Sequence, residues 1–440
     1  MITNDRLELA HWVVKSAKAE GASDIAVNIS NSRSVEMEYR DGQLDVVKES
    51  TENSLNISLY VEGKYSGHST NDLRQDSVGK FVRDAVAMTK YLSVDKFRKL
   101  PDPKYYRGMV ETELDLIDDR YDSIRSEERV AMVKELQELT SGQSDKIISS
   151  TAGYYDNISE SIKVHSNGFE GVSEGTSFSY GVEVTLDDGK GGRPSDWNYA
   201  TTRHLSDMEA PANMSKKVVE SALAKLGQEK IESGVYEMVI HNRAATQPIY
   251  ALYSPLTGRS IQQKRSFLDG KLGEKLFSEK LTVIDDPFIK RGLGSRHYDG
   301  EGMATRKRTI IEKGVVKEFL IDNYYGNKLG VEPTGGSVSN VSFEYGDKSL
   351  DELIKQVTKG ILVTNFIGGN SNGTTGDYSW GLVGMYIENG KIVKPVYEMN
   401  ISGNLIDLWA NLVECGNDPY KYSSFRRPSL YFKDVQFSGL

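Results

Sequence analysis

Ser54-Leu55-Asn56-Ile57-Ser58-Leu59-Tyr60-Val61-Glu62-Gly63 decides the fold of the first half of the chain. Leu55, Ile57, Leu59 and Val61 alternate with other residues, a period of two that buries one strand face and leaves the other to water, as in an antiparallel sheet. Gly63 supplies the positive φ of a tight turn. Upstream, Ile25, Val27 and Ile29, then Val35, Met37 and Tyr39, repeat the alternation in two further strands, and Asp41-Gly42 marks another turn. A helix over about 4–20 precedes them. Thr3 or Asn4 can cap it, Leu9, Trp12, Val13 and Ala17 share one side, and Gly21 stops it. A second amphipathic helix, with Val78, Phe81, Val82, Ala85 and Leu92 on one side, closes the unit.

The same order recurs downstream. A helix over about 126–140 starts at Ser126-Glu127-Glu128, acidic residues suited to its positive end, and carries Val130, Val133 and Leu136 up to Gly142. Strands follow with a turn at Asn167-Gly168, the alternating run Tyr180, Val182, Val184, Leu186, and a glycine-rich turn at Asp188–Gly192. A helix with Val218, Val219, Ala222, Leu223 and Leu226 ends at Gly227. A shift of roughly 125 residues lays Arg40-Asp41-Gly42 on Ser166-Asn167-Gly168 and Leu55/Ile57/Leu59 on Tyr180/Val182/Val184, the mark of a duplicated unit. The alternative is that two unrelated helix-flanked sheets share one pattern.

Leu100-Pro101-Asp102-Pro103-Lys104 reads as a linker, because two prolines disfavour helix and cannot donate to a ladder. Beyond about 230, strand-like runs dominate: Val235–His241, Thr309–Ile321, Gly360–Ile367, Gly381–Ile387 and Lys391–Glu398. Glu388-Asn389-Gly390-Lys391 is a two-residue hairpin signal. Helices are expected only around 247–256 and 348–358. The expectation is an α+β chain: helix-flanked antiparallel sheets over 1–100 and 101–229, then a β-rich C-terminal domain over 230–440.

Composition excludes several classes. With 440 residues, 27% charged and 38% hydrophobic, the chain is an ordinary globular one. No apolar run approaches the ~20 residues of a membrane-spanning helix, and Met1–Arg6 lacks the features of a signal peptide. The single cysteine, Cys415, allows no intrachain disulfide, so a reducing compartment, the cytoplasm, is expected. The net charge of −9 opposes direct nucleic-acid binding. The densest basic stretch, Arg306-Lys307-Arg308, reads as a solvated strand face.

A search for chemistry finds little. Of His11, His68, His165, His204, His241 and His297, no two lie within one helical turn, so no local pair chelates a metal. Gly369-Asn370-Ser371-Asn372-Gly373 fits G-x-S-x-G, with His297 and Asp299 as conceivable partners. The glycine-rich residues after it cannot form the helix that a nucleophile elbow needs, and both partners lie upstream, so a Gly/Asn/Ser turn is the simpler reading. Cys415 as a nucleophile would need a base, yet Glu414 and Asp418 beside it raise a thiol pKa. Gly189-Lys190-Gly191-Gly192 lacks the spacing of a phosphate loop.

Longer motifs carry more. Thr374-Thr375-Gly376-Asp377-Tyr378-Ser379-Trp380-Gly381 through Glu388-Asn389-Gly390, with Pro395–Glu398 and Ile401–Leu405, resembles the signature of the TldD/PmbA peptidase family, also labelled modulator of DNA gyrase. Asp299-Gly300-Glu301-Gly302, Ile311–Gly314 and Phe319–Ile321 resemble its other C-terminal motif, and Arg40-Asp41-Gly42 with Ser54–Gly63 resembles its N-terminal part. TldD-type members carry H-E-x-x-x-H on a helix and a late ligand cysteine. Aligned backward from Gly270-Lys271-Leu272-Gly273, that motif falls on Ile249, Tyr250 and Ser254, and Cys415 lies near the ligand cysteine. An aliphatic, a phenol and a hydroxyl replace neither imidazoles nor a carboxylate base, so the chain resembles the PmbA/TldE branch.

The resemblance implies no catalytic or metal-binding residues in this chain. It implies zinc on a TldD-type partner subunit, a shared cavity for unfolded peptides and small precursor proteins, and a homodimer when the partner is absent. Asp377, Tyr378, Ser379, Glu398 and Asn404, in its densest motifs, are candidates for lining the cavity or interface; the competing role is turn organisation. The rival functions are a stand-alone hydrolase using Ser371 or Cys415, and a structural homodimer.

Overall fold

The structure is a computed structural model describing residues 4–440; the capping expected of Thr3 or Asn4 lies outside what it covers. The N-terminal half runs α1 (Asn4–Ala19), β1 (Asp24–Arg40), β2 (Gln43–Val61), β3 (Lys64–Thr70), α2 (Gln75–Thr89), then α3 (Ser126–Ser141), β4 (Ile147–His165), β5 (Glu170–Leu186), β6 (Ser195–Thr202) and α4 (Pro211–Leu223). The order α-β-β-β-α occurs twice, as the repeat implies. All six strands join one antiparallel sheet, β3-β2-β1-β4-β5-β6.

One expectation fails here. Ile25–Ile29 and Val35–Tyr39 are not two strands but the two ends of β1, which pairs with β2 on one side and β4 on the other. The polar interval Asn31–Ser34 stays extended, each residue paired with β2, and is where the strand passes from one core to another. Ile25, Val27 and Ile29 pack with Leu55, Ile57, Leu59 and α1 and α2, whereas Val35 and Met37 pack under α3 and α4. Strand β4 reciprocates, sending Ile162 and Val164 into the first core and Ala152 and Tyr154 into the second.

Between the two cores lies a polar belt. Arg129 Nε of α3 donates to Asp156 Oδ2 of β4 at 2.6 Å, with the side chains 2% and 0% exposed. Asp156 also accepts from the hydroxyls of Tyr121 and Tyr154, at 2.8 and 2.7 Å. Three donors on one carboxylate offset the cost of burying the charge.

The second half comprises β7 (Gly234–Ile240), α5 (Thr246–Tyr253), α6 (Gly258–Gln262), β8 (Val283–Asp285), β9 (Arg308–Glu312), β10 (Val315–Val316), α7 (Asn323–Leu329), β11 (Val341–Phe343) and α8 (Leu350–Gln356). It continues through β12 (Lys359–Ser371), β13 (Asp377–Glu388), β14 (Lys391–Asn404), α9 (Leu405–Ala410), β15 (Leu412–Cys415), β16 (Phe425–Arg426) and β17 (Leu430–Ser438). Strands β14-β13-β12-β7-β17-β15 form one sheet, which closes on itself because β17 also pairs with β14. A smaller sheet, β10-β9-β8-β11-β16, packs into the same core. The β13–β14 hairpin turns at Asn389 and Gly390, both at positive φ, as the sequence requires. Among the described residues no helix is long and apolar enough to cross a membrane.

Three further readings need correction. The run Thr309–Ile321 is broken by a turn at Lys313 and Gly314, both at positive φ, so only β9 and β10 are strand. Arg308 is not solvated: it is 6% exposed and bonds Asp285 and Glu318 at 3.0 and 3.1 Å, while Arg306 and Lys307 pair with Glu318 and Asp286. The proline-bearing linker is no loose spacer. Leu100 and Pro101 are buried, Asp102 caps a 3-10 turn at Pro103–Tyr106, and α7 grips the preceding residues. Asn323 Nδ2 donates to Lys99 O at 2.7 Å, Asn327 Nδ2 to Phe97 O at 3.1 Å, and the Tyr324 hydroxyl to Asp95 at 2.8 Å. Side chains from a distant part of the sequence thus satisfy acceptors just ahead of the prolines.

The belt is testable by truncation. Asp156→Ala leaves a buried guanidinium unpaired and is expected to lower the unfolding free energy by about 3–5 kcal/mol, read by urea denaturation; a loss below about 1 kcal/mol, the scale of an exposed pair, would refute the role.

Candidate functional site

Strand β7 ends at Ile240, and the chain turns at His241, whose N–H donates to Val363 O at 3.0 Å, before entering α5. Helix α5 carries Ile249 and Tyr250, and Ser254 follows its end. Ile249 is buried in the C-terminal core beside Leu252 and Leu256. Tyr250 is 51% exposed, its ring stacked on Phe425 at 4.9 Å. Ser254 opens a 3-10 turn, its carbonyl accepting from the hydroxyls of Thr257 and Ser260 at 3.0 and 2.9 Å.

Donor chemistry at these positions does not fit a zinc ion. A tetrahedral site needs several imidazole, thiolate or carboxylate ligands at once. Among the described residues no three His, Cys, Asp or Glu side chains converge to hold a metal. The histidines are dispersed: His11 meets Glu170, His68 meets Ser66, His165 meets Tyr106, His204 meets Asp115, and His297 meets Thr112 O. His241 Nδ1 accepts from Arg243 N at 3.1 Å. Cys415 is buried, its sulfur 3.8 Å from Lys280 O. Burial first, then Glu414 and Glu344, pushes its thiol up to about 12.

The outer half of β12 outruns β7. Only Gly360–Val363 pair with β7, so the stretch Thr364–Ser371, which pairs with β13 on one side except at bulges at Thr364 and Ile367, has no strand partner on the other among the described residues. The segment 241–267 brackets this free edge, touching Val363 at one end and Gly373, through Phe267 N, at the other. Ile367, Gly368, Gly369 and Asn370 are exposed. Ser371 ends the strand opposite Tyr378. The turn expected over 369–373 begins later, where Asn372 O accepts from Gly376 N at 2.7 Å, and it leads into β13, so no helix follows the serine.

The five motif residues divide by strand alternation. Asp377 and Asn404 meet: Asn404 Nδ2 donates to Asp377 Oδ1 at 3.1 Å and to Thr375 O at 2.9 Å, while Asn404 Oδ1 caps α9 at Ile406 N. The Thr375 hydroxyl, then Asn404, hold the Asp377 carboxyl below its usual range. Tyr378 points inward, stacked on Trp380 at 4.3 Å, and burial pushes its phenol up to about 12. Ser379 donates to Asn400 at 3.2 Å. Glu398, at φ 50, pairs with Lys230 at 3.4 Å. Ser379 and Glu398 share a shallow 420 Å³ cavity with Gly368, Gly369 and Asn370. Sequence reading missed the free edge, since strand alternation says nothing about which strands acquire two neighbours.

Three family domains match consecutive parts of the chain: PmbA/TldA metallopeptidase domain 1 at residues 26–89, the central domain at 119–226 and the C-terminal domain at 233–439. The chain belongs to the PmbA/TldD family. It is 30% identical to a "Metalloprotease PmbA homolog" of Buchnera aphidicola over 449 aligned residues, covering 100% of this chain and 98% of the relative. Identity to the "Metalloprotease PmbA" of Escherichia coli O157:H7 is 28%, over 98% of this chain and 94% of the relative. Among solved structures, a Bacteroides thetaiotaomicron protein named for modulation of DNA gyrase superposes with a TM-score of 0.97 at 40% identity, covering 100% of both chains. TldE of Thermococcus kodakarensis shares the fold, with a TM-score of 0.87 at 20% identity over 98% of this chain and 100% of that one. The metalloprotease names place metal chemistry in the family, while α5 of this member holds no ligand set.

Cys415 in the folded protein is expected to resist Ellman's reagent at pH 8, because the thiolate is the reactive form, and to react in full after denaturation. Complete native labelling within a minute would contradict its buried environment.

Proposed function

We propose that this chain is the non-catalytic subunit of a two-chain zinc peptidase of the TldD/TldE type, acting in the cytoplasm on unfolded peptides and small precursor proteins. The reading is carried by the triplet Ile249, Tyr250 and Ser254, taken as the place of the family's zinc motif: an aliphatic side chain lies in the core and a phenol on the surface, and neither ligates zinc. Zinc on a sister TldD-type chain, when bound, would polarise the scissile carbonyl and activate water. This chain's own residues bind and exclude. The free edge Thr364–Ser371 offers unpaired N–H and C=O groups to an extended peptide. A folded protein has few such free segments, which favours unfolded substrates.

Family membership and the distribution of donors support this reading over a hydrolase of its own. Ser371 has no elbow and no histidine beside it, and Cys415 is a buried thiol far from a thiolate state at neutral pH. The charge of −9 accords with an indirect relation to DNA gyrase rather than contact with DNA.

Metal analysis and reconstitution test the proposal. Purified alone, in homodimeric form, the chain is expected to carry well under one zinc per subunit and to cleave no unfolded peptide. Mixed with its TldD-type sister it should form a hetero-complex whose cleavage exceeds that of either chain. One tightly held zinc per subunit, or peptide cleavage by this chain alone that is lost in Ser371→Ala or Cys415→Ala, would overturn it.

A further inference from the structure

Three carboxyl groups meet at the joint between the first repeat and the C-terminal domain. Glu301 lies in the loop ahead of β9, and its Oε2 accepts from Asn323 N, the first residue of α7, at 2.8 Å. Asp322 caps the same helix, accepting from Tyr325 N at 2.6 Å. Asp299 accepts from the N–H groups of Glu301 and Met303 at 2.8 and 3.0 Å.

The positive charges facing Glu301 are committed elsewhere. Arg98 of the linking segment is held between the rings of Tyr65 and Tyr324, at 4.6 and 3.6 Å. Lys163 of β4 donates to the carbonyls of Asp299 and Gly300. The phenols of Tyr60 and Tyr106 complete the surroundings. Among the described residues Glu301 forms no ion pair within 4.0 Å. Asn323 couples this carboxyl to the linker, since its backbone N–H serves Glu301 while its side chain holds Lys99 O.

We infer that Glu301 is a pH-sensitive latch: as a neutral acid it keeps α7 and the segment 95–101 docked, and as a carboxylate it loosens them. A protonated carboxyl still accepts the Asn323 N–H through its carbonyl oxygen, so the neutral form loses no bond. The ionised form places a third negative charge beside Asp299 and Asp322, with no ion pair among the described residues and only Arg98, held between two rings, to offset it. Burial above all, reinforced by Asp299 and Asp322 and opposed by Asn323 and Arg98, pushes the Glu301 carboxyl up to about 7. The folded chain thus keeps a proton that the unfolded chain, at its ordinary value of 4.5, releases. Stability from this group is complete below the unfolded value and is lost as pH rises through the folded one. The latch depends on contacts within this chain and stands whether or not the peptidase reading holds.

Amide hydrogen exchange on the full chain, corrected for intrinsic rates, tests it between pH 6 and 8.5. Peptides covering 95–101 and 323–329 in the wild type should lose protection roughly ten-fold or more on crossing neutrality, while the centre of β4 stays protected. In Glu301→Gln that loss should vanish. Asp322→Asn keeps an N-cap but removes a like charge, so the midpoint should move to lower pH; this variant and the wild type decide the matter even if Glu301→Gln does not fold. A wild-type profile flat across the range, a Glu301→Gln profile that follows the wild type, or an Asp322→Asn midpoint that stays put would each overturn the latch.

Discussion

The antiparallel pairing of β1 with β4 is the constraint on which the N-terminal half depends. It runs from Ala26 opposite His165 to Arg40 opposite Thr151, and it joins two copies of one unit into one sheet. Because each strand crosses from one apolar core to the other, a one-residue slip would turn Val35 and Met37, and with them Ile25 to Ile29, toward water. The belt at the crossing ties β4 to α3 and to Tyr121. Asp156 meets Arg129 and Tyr121 only when β4 stands where it does, with Tyr154 of the same strand completing its shell, and a buried charge without partners is costly.

The closed C-terminal sheet poses the opposite problem. Closure through β14 and β17 consumes most strand edges, yet β12 outruns its neighbour β7 and leaves Thr364–Ser371 with one partner. Exposed edges invite association with other chains and are usually blunted by charge or proline. This edge carries neither; its outer end, Gly368-Gly369-Asn370-Ser371, is small enough to let another backbone approach, while Phe366 and Ile367 precede it. Such an edge can pair with an extended segment of another chain.

Helix α7 ties the halves together. Three of its residues reach into the linker, and its first N–H rests on Glu301. The linker therefore moves with the C-terminal domain, and any change of charge at Glu301 acts where the two halves touch.

Much of this was legible in order along the chain. Alternation at Leu55–Val61 and Tyr180–Leu186, the glycine turns and the repeated helix faces pointed to the antiparallel class and to the order of elements that recurs in the structure, because those patterns record local geometry. That Ile249, Tyr250 and Ser254 offer neither imidazole nor carboxylate was equally plain, since side-chain identity alone decides which groups can ligate. Tertiary structure decided what depends on distant partners: that Ile25–Ile29 and Val35–Tyr39 are one strand shared by two cores, that Arg308 is buried because Asp285 and Glu318 await it, that the proline linker is gripped by α7, and that β12 keeps a free edge. Pairing and burial are relations between residues far apart in sequence, and only folding brings them within bonding distance.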